Sequence, residues 1–216
     1  EQNVAVIVCD SKHVPCGLLS PFESNTLHAK TLRQQIEVEK PVKKRLWQSI
    51  VSAKIKEQSR LLKELTNGDD DIGAMAGFVR SGDPDNFESQ ADGVNAMLNY
   101  GYAVLRGAVA RAIVGTGLHP ALGIHHKNQY NAFALADDLL EPLRPIVDEV
   151  VWKRAKEHGE PDELVPEVKR EILTVLTREV SWSEKKYPIL TALGHYAANL
   201  KDSLLSGKKA LRCPIR

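Results

Sequence analysis

Two imidazoles and three carboxylates lie close together in one part of this sequence, residues 117–145. They belong to His125, His126, Asp137, Asp138 and Glu141. Imidazole nitrogens and carboxylate oxygens are side-chain groups that divalent metals bind, and ordinary packing does not call for so many of them in one short segment. If this protein carries out chemistry, we expect it to do so here.

The three carboxylates follow a helical pattern. Residues three and four positions apart share one face of a helix, so Asp137 and Asp138 both lie near Glu141. Like charges held together either face water or bind a cation, and Mg²⁺ suits carboxylate oxygens. A nearby imidazole favours a site that also accepts Mn²⁺. Two other interpretations stay open from the residues alone: a solvated face for Asp137 and Asp138, and an ion pair between Glu141 and Arg144.

The paired histidines are a weaker signal. A loop histidine is more often a hydrogen-bonding residue than a metal ligand, and adjacent side chains rarely bind one ion together. The sequence contains no Gly-x-Ser-x-Gly elbow, no glycine-rich phosphate loop ending in Lys-Ser or Lys-Thr, and no His-Glu-x-x-His. A metal site therefore explains the segment better than these other catalytic arrangements do.

The composition excludes several classes of protein. The chain has 216 residues, 43% of them hydrophobic, and no stretch long and apolar enough to span a bilayer. Its three cysteines form no Cys-x-x-Cys pair, which argues against a disulfide framework or a zinc knuckle and predicts reduced, mostly buried thiols. The first residues lack the basic start and the cleavage site of a signal peptide. We therefore expect a cytoplasmic protein without membrane association.

The basic residues are clustered even though the net charge is only +1, which creates no overall field for a polyanion. Such clusters are usually solvated helix faces, and contact with nucleic acid is the alternative. One cluster comprises Lys40, Lys43, Lys44, Arg45, Lys54, Lys56, Arg60 and Lys63, and a second comprises Lys208, Lys209, Arg212 and Arg216.

The pattern along the chain predicts a mainly α protein preceded by a remnant of a β-sandwich, α+β overall. Apolar, β-branched residues predict one strand at 4–9 and a second at 17–22. A strand that is apolar on both faces is buried and needs covering partners, and the later sequence does not supply enough strands for them. We therefore divide the chain into the end of an N-terminal β domain, 1–22, and an α-helical catalytic domain, 23–216.

Helical spacing of apolar residues predicts most of the second domain. The predicted helices lie at 26–36, 41–67, 72–79, 94–114, 167–178 and 189–205. The apolar series of the first of them begins with Leu27, Leu32 and Ile36, which are expected to form its packed face. Arg106 and Arg111 are the only charged residues of the 94–114 helix and are expected to pair with carboxylates or phosphates. Asp85-Asn86-Phe87-Glu88 has the spacing of a capping box, so a helix cap is the ordinary role of Glu88.

The residues also resemble a known protein family. Residues 123–148, GIHHKNQYNAFALADDLLEPLRPIVD, resemble the signature of the CRISPR-associated spacer-acquisition integrases and endonucleases, the Cas-one family. The resemblance is strongest to members from type II systems, whose helix reads approximately Phe-x-Leu-Ala-x-Asp-Leu-x-Glu-Pro-Phe-Arg-Pro. Asp83-Pro84-Asp85-Asn86-x-Glu88 resembles the first metal-ligand motif of the family, and residues 6–10 and 18–22 resemble the end of its N-terminal β domain.

This resemblance implies a site for Mg²⁺ or Mn²⁺ whose ligands are Glu88, His126 and Glu141. Asp138 matches a further acidic position of the motif and would be a supporting catalytic carboxylate. His126 is preferred to His125 because the family pattern Gly-x-x-His places the ligand on the second histidine. Glu88 would therefore be a ligand even if it also caps its helix.

The implied activity is that of a DNA integrase of CRISPR adaptation. Such an enzyme joins the 3′-hydroxyl ends of captured DNA fragments, the new spacers, to the CRISPR repeat by transesterification, and it can also cut DNA. Arg80, Lys127 and Arg144 neighbour the ligands in the sequence, and we expect them to bind DNA phosphates. The implied partners are double-stranded DNA, a second copy in a homodimer, and the small protein Cas-two. Other type II CRISPR proteins are further candidate partners.

Two other functions fit the same residues: a non-catalytic DNA-binding scaffold of the adaptation complex, and a stand-alone metal-dependent DNA nuclease. The sequence departs from the family pattern twice. The sequence lacks most of the N-terminal β domain of the family. Its link between Glu88 and the next helix is also shorter than in relatives.

Overall fold

The computed structural model describes residues 6–10, 15–19, 28–66, 93–207 and 210–216. This part of the chain is mainly α-helical with two small sheets, which confirms the fold class predicted from the sequence. Arg80, Glu88 and the helix predicted at 72–79 lie outside the described residues. None of the helices within these ranges is both long and apolar enough to cross a membrane.

The helices follow the predicted pattern closely in the centre of the chain. They are α1 (His28–Glu37), α2 (Lys40–Thr66), α3 (Gly93–Gly115), α4 (Ala134–Leu140), α5 (Arg144–His158), α6 (Pro166–Leu173) and α7 (Ile189–Ser206). Short 3₁₀ helices lie at Glu141–Leu143 and Thr174–Thr177. The strands are β1 (Val6–Cys9), β2 (Pro15–Leu19), β3 (Glu179–Trp182) and β4 (Lys185–Pro188), and they form the antiparallel hairpins β1–β2 and β3–β4.

The helix α3 lies at the centre of the helical body because it is apolar nearly all round. Its buried residues include Met97, Leu105 and Ile113, and it packs against α4, α5, α6 and α7. Gly101 permits the close approach of α5, since a Cβ atom there would lie 2.4 Å from a methyl carbon of Val147. The central helix therefore sets the positions of α4 and α5, which carry the acidic residues.

The hairpin β1–β2 is exposed, which contradicts the prediction of a buried strand. Val6 pairs with Leu19, and these side chains are 47% and 65% exposed. The reason is that no further sheet in the described part of the chain covers the hairpin. Cys9 and Cys16 are also exposed, so the three cysteines are free as expected but not mostly buried.

The helix predicted at 167–178 ends early, at Leu173, and continues as a 3₁₀ turn. The hydroxyl of Thr174 donates to the carbonyl of Glu171 at 2.6 Å, and the hydroxyl of Thr177 donates to the carbonyl of Thr174 at 3.0 Å. Threonine hydroxyls offer the backbone an alternative to regular α-helical bonding, and 3₁₀ turns are common at helix ends.

The hairpin β3–β4 was not predicted from the sequence. At its tip, Ser183 and Glu184 have φ angles of 48° and 69°. A two-residue loop with both residues in the left-handed region suits the twist of a hairpin, and its usual sequence signal is Asn-Gly or Asp-Gly. Ser-Glu carries no such signal, which is why the hairpin was missed.

A cluster of ion pairs around Glu149 joins α5 to the C-terminal segment. Its carboxylate contacts Lys153, Arg178 and Arg216, the last at 3.0 Å. Burial raises the pKa of Glu149, but the hydrogen bonds from these three cations outweigh burial and lower the pKa from 4.5 to about 2. The cluster therefore stabilises the fold most at pH values at which the carboxylate of Glu149 is charged.

We expect Glu149→Gln to lower the free energy of unfolding by about 2 kcal/mol at pH 7, because hydrogen bonds to charged groups are lost. The depressed pKa implies that this stabilisation is present above pH 4.5 and is lost as the pH falls towards 2. Urea unfolding of both proteins at pH 7 and pH 3 measures the difference, which should shrink at pH 3. Glu163→Gln, an exposed change of the same kind, is the control. A difference that does not depend on pH would contradict the role of the charge.

Candidate functional site

The loop that carries the histidines is bound first by α1. The Nε2 group of Gln35 donates to the carbonyls of His119 and Leu122 at 3.0 and 3.2 Å, and the N–H of His119 donates to Oε1 of Gln35 at 2.8 Å. Gln35 is buried where it makes these hydrogen bonds. Ile36, which was predicted to pack inside, is 60% exposed. The predicted apolar face of α1 is wrong at Ile36 because the buried side of the helix binds a loop.

The same loop is bound on its other side by Asp138 of α4, which is completely buried. One carboxylate oxygen accepts the backbone N–H groups of Ile124 and His125 at 2.6 and 3.0 Å. The turn is tight enough to need glycine, because a Cβ atom on Gly123 would lie 2.4 Å from the carbonyl oxygen of His126. Asp138 therefore shapes the loop, and a solvated position for it is excluded.

Asp138 also orients the ring of His126. Its second oxygen accepts the His126 backbone N–H at 3.2 Å and lies 2.7 Å from Nδ1 of the ring. A carboxylate only accepts hydrogen bonds, so Nδ1 carries the proton and Nε2 is left for another partner. The hydrogen bond to Asp138 raises the pKa of His126 more than burial lowers it, and the negative charge of Glu141 raises it further.

Glu141 begins the 3₁₀ turn that follows α4, where Pro142 removes a backbone donor and ends the α-helix. Its side chain is 9% exposed. One oxygen accepts from Nε of Arg144 at 3.0 Å, and the other accepts from Nζ of Lys54. Burial raises the pKa of Glu141, but the positive charges of Arg144 and Lys54 together hold it below its ordinary value. The ion pair with Arg144, left open by the sequence, is confirmed.

Asp137 has a separate role. Its Oδ2 accepts hydrogen bonds from Nη2 of Arg106 at 2.9 Å and from the amide of Asn131 at 2.6 Å, and its Oδ1 lies 2.7 Å from Nε of Arg106 in an ion pair. Both Arg106 and Asp137 are buried, so the expected pairing of Arg106 with a carboxylate is confirmed. Asp137 is thus part of a buried ion pair and is not solvated.

Two residues of α2 contact the site and were missed as site residues from the sequence. Trp47 stacks on His125 with ring centroids 4.1 Å apart and planes 5° apart, and it is nearly perpendicular to the ring of His126, with centroids 6.0 Å apart. Lys54 lies seven positions later, two turns along the same face. Neither contact leaves a local signal, because α2 is remote in sequence from the loop.

The basic residues of α2 are therefore not simply a solvated face. Lys54 contacts Glu141, Arg45 donates to the carbonyl of Gly207 at 2.7 Å, and Arg60 donates to the carbonyl of Arg216 at 2.6 Å. These three contacts are intramolecular. Arg45 and Arg60 are nevertheless exposed, as expected for a solvated face, whereas Lys54 is only partly exposed.

Arg144 is mostly buried between Glu141 and Tyr102, and it contacts both. It is 13% exposed, and its guanidinium lies 4.7 Å from the ring centroid of Tyr102. The Tyr102 hydroxyl donates to Asp148, whose pKa burial raises to about 6 despite that hydrogen bond. Of the residues predicted to bind DNA, Lys127 is exposed next to His126, and Arg80 is not among the described residues.

The structure brings His126 into contact with Asp138, and Glu141 follows three positions later at the start of the 3₁₀ turn. Glu88 is outside the described residues. Within those ranges no group of three His, Cys, Asp or Glu side chains is arranged to hold a metal ion. The ligand set Glu88, His126 and Glu141 therefore stays a prediction. The donors that are described suit a divalent ion: a charged carboxylate, and an imidazole whose Nδ1 is fixed by a second carboxylate.

Comparison with known proteins identifies the family. A sequence model described as "CRISPR associated protein Cas1" matches residues 84–177, a range that includes all three predicted ligands. A CRISPR-associated endonuclease Cas1 from Neisseria meningitidis serogroup C is 34% identical over 238 residues, covering 99% of this chain and 77% of the relative. A Cas1 endonuclease from Thermus thermophilus is 51% identical over 61 residues, 28% of this chain and 19% of the relative.

Solved structures share the fold. A casposase bound to its integration product superposes with a TM-score of 0.69 at 22% identity, over 95% of this chain and 76% of that one. A Cas6-RT-Cas1–Cas2 complex gives 0.69 at 16% identity, over 95% of this chain and 29% of that one. A CAS1 protein from Thermotoga maritima gives 0.57 at 16%, over 96% and 81%. With a relative 34% identical over nearly its whole length, the chain belongs to the Cas1 family of CRISPR-associated proteins, the Cas-one family that its motifs resemble.

Proposed function

We propose that this chain is a metal-dependent DNA integrase of CRISPR adaptation, which joins the 3′-hydroxyl ends of captured DNA fragments to the CRISPR repeat. The observation that carries the proposal is the pairing of Asp138 with Nδ1 of His126, three positions before the carboxylate of Glu141. A carboxylate that orients a histidine in this way is a recurring companion of metal ligands. The arrangement lies in the segment that matches the Cas1 family.

The residues fit Mg²⁺ or Mn²⁺ with Glu88, His126 and Glu141 as ligands, since carboxylate oxygens with one imidazole nitrogen suit Mn²⁺ and tolerate Mg²⁺. Such an ion, when bound, stabilises negative charge on phosphoryl oxygens and lowers the pKa of an attacking hydroxyl group.

The residues of the chain supply position and orientation. Asp138 keeps the proton of His126 on Nδ1, so Nε2 is available as a ligand atom. Arg144 binds one oxygen of Glu141 and is itself held against Tyr102. Lys127 is exposed beside His126, where it can bind a DNA phosphate. Phosphoryl transfer needs little covalent help from the protein, so positioning of this kind is the main contribution.

We further propose that the chain acts as a homodimer on double-stranded DNA together with the small protein Cas2, the partner called Cas-two above. Two structures of similar fold support the DNA and Cas2 parts of this proposal: one is a casposase bound to its integration product, and the other is a complex that contains both Cas1 and Cas2.

The test is a strand-joining assay with the purified chain, with and without Cas2. A labelled short duplex with free 3′-hydroxyl ends is incubated with DNA that carries a CRISPR repeat, in Mn²⁺ or Mg²⁺. We expect a labelled joined product at the repeat. The product should disappear when the duplex ends in 3′-deoxy nucleotides or when EDTA removes the metal, because the reaction needs the hydroxyl and the ion.

The alternatives predict different results. Cutting of DNA without joining would identify a stand-alone nuclease, the activity that the names of several relatives contain. Binding of DNA that weakens steeply with salt, without cutting or joining in any metal, would identify a scaffold.

A further inference from the structure

Lys54 of α2 contacts a residue that the proposed metal site needs. Its Nζ pairs with one oxygen of Glu141, and Nε of Arg144 binds the other oxygen at 3.0 Å. Each oxygen of this carboxylate therefore has a cationic partner. A divalent ion bound by Glu141 must share or take over one of these two positions.

The two cations differ in their freedom to move. Arg144 is 13% exposed, follows Glu141 in the same chain segment and is held over the ring of Tyr102. Lys54 is 32% exposed and reaches Glu141 through a flexible four-carbon stem. Lysine binds as a point charge without the fixed geometry of a guanidinium group. Lys54 is therefore the partner that an arriving ion can displace at the lower cost.

The backbone at Lys54 is well anchored, so the contact is built into the fold. Ile50, one turn earlier, is completely buried, and Trp47, two turns earlier, stacks on His125. This face of α2 packs against the 3₁₀ turn that begins with Glu141. The stem of Lys54 thus starts from a fixed point beside the site while its end remains partly exposed.

We propose that Lys54 is a positioning residue of the metal site: its ammonium group binds and neutralises Glu141 while the site is empty, and a divalent ion displaces it. The inference rests on the proposed function because it takes Glu141 as a ligand. It adds that Lys54, on a helix outside the ligand motifs, competes with the metal ion for the carboxylate of Glu141.

The first experiment measures the accessibility of the Lys54 amine. The purified wild-type chain, without DNA, is treated briefly with an acetylating reagent, with and without Mg²⁺, and acetylation of individual lysines is quantified by mass spectrometry. We expect Mg²⁺ to increase the labelling of Lys54 severalfold, because its amine leaves the carboxylate. Labelling of Lys56, which is exposed and nearly opposite on α2, should not change. In Glu141→Gln, Lys54 should be labelled equally with and without Mg²⁺.

The second experiment measures binding of Mn²⁺ alone by calorimetry. Lys54→Met removes the ammonium group and keeps a stem of similar length. We expect it to bind Mn²⁺ about fivefold more tightly than the wild type does, because a partly exposed ion pair no longer competes. Lys56→Met is the matched control and should bind with wild-type affinity.

The outcomes separate this inference from the proposed function. If the wild type binds Mn²⁺ but Lys54 labelling does not respond to Mg²⁺, or Lys54→Met has unchanged affinity, the inference is overturned and the integrase proposal stands. If neither the wild type nor Lys54→Met binds Mn²⁺, both the inference and the metal-dependent mechanism are overturned.

Discussion

Replacing Glu141 by glutamine is expected to abolish DNA strand joining. Glutamine keeps the shape of the side chain but removes the charge that would bind the ion and that Lys54 and Arg144 now share. Partners that only orient metal ligands are typically worth about 10–100-fold in affinity or activity, so loss of a ligand should cost more than about 100-fold. The measurement is the single-turnover rate of joining in Mn²⁺.

The control for this change is Glu160→Gln, which removes the same charge from an exposed position and should join at the wild-type rate. Thermal unfolding of both variants shows that the comparison is between folded proteins. A Glu141→Gln protein that joins DNA at the wild-type rate would rule out Glu141 as a metal ligand. If Glu141→Gln loses joining and is also partly unfolded, Mn²⁺ binding to the folded fraction is measured by calorimetry at low temperature. This measurement separates loss of the metal ligand from loss of the fold.

Replacing Arg106 by methionine is expected to cause the largest loss of stability. Arg106 lies in the buried centre of α3 and pairs with Asp137, which would be left buried with only the amide of Asn131 as its partner. Removing one partner of a buried ion pair typically costs about 3–5 kcal/mol, because the other charge is left uncompensated. Urea unfolding at pH 7 measures the free energy directly.

The same helix offers a matched control. Arg111 is exposed, and Arg111→Met should change the free energy of unfolding by less than about 0.5 kcal/mol. The double variant Arg106→Met/Asp137→Leu should be more stable than Arg106→Met alone, because it removes the unpaired charge. Equal stability of Arg106→Met and Arg111→Met would show that the buried pair contributes nothing.

The acidic triplet shows how far the sequence could lead. Asp137 and Asp138 lie in one helix, as helical spacing predicted, and Glu141 begins the 3₁₀ turn that directly follows it. Helical spacing could not separate their roles, because their partners are remote. Asp137 bonds to Arg106, 31 positions away, Asp138 bonds to a loop 12 to 14 positions away, and Glu141 bonds to Lys54, 87 positions away.

The prediction of helices and strands was also limited to features with a local sequence signal. Apolar periodicity gave close bounds for α2, α3 and α7, since each long helix repeats its signal over several turns. The hairpin β3–β4 was missed because its strands are four residues long and its turn lacks glycine. The buried face of α1 was assigned wrongly because Gln35 is buried for the hydrogen bonds that it makes to a distant loop.

By itself, the sequence determined the helical class, the long helices and the segment that carries the imidazoles and carboxylates, because periodicity and motif spacing are local properties of the chain. Only the tertiary structure decided which nitrogen of His126 is occupied, which carboxylate is committed to an ion pair, and that Trp47 and Lys54 belong to the site. The physical reason is that hydrogen bonds and ion pairs act over a few ångströms. The partners that meet at that distance are set by the packing of helices remote from one another in the sequence.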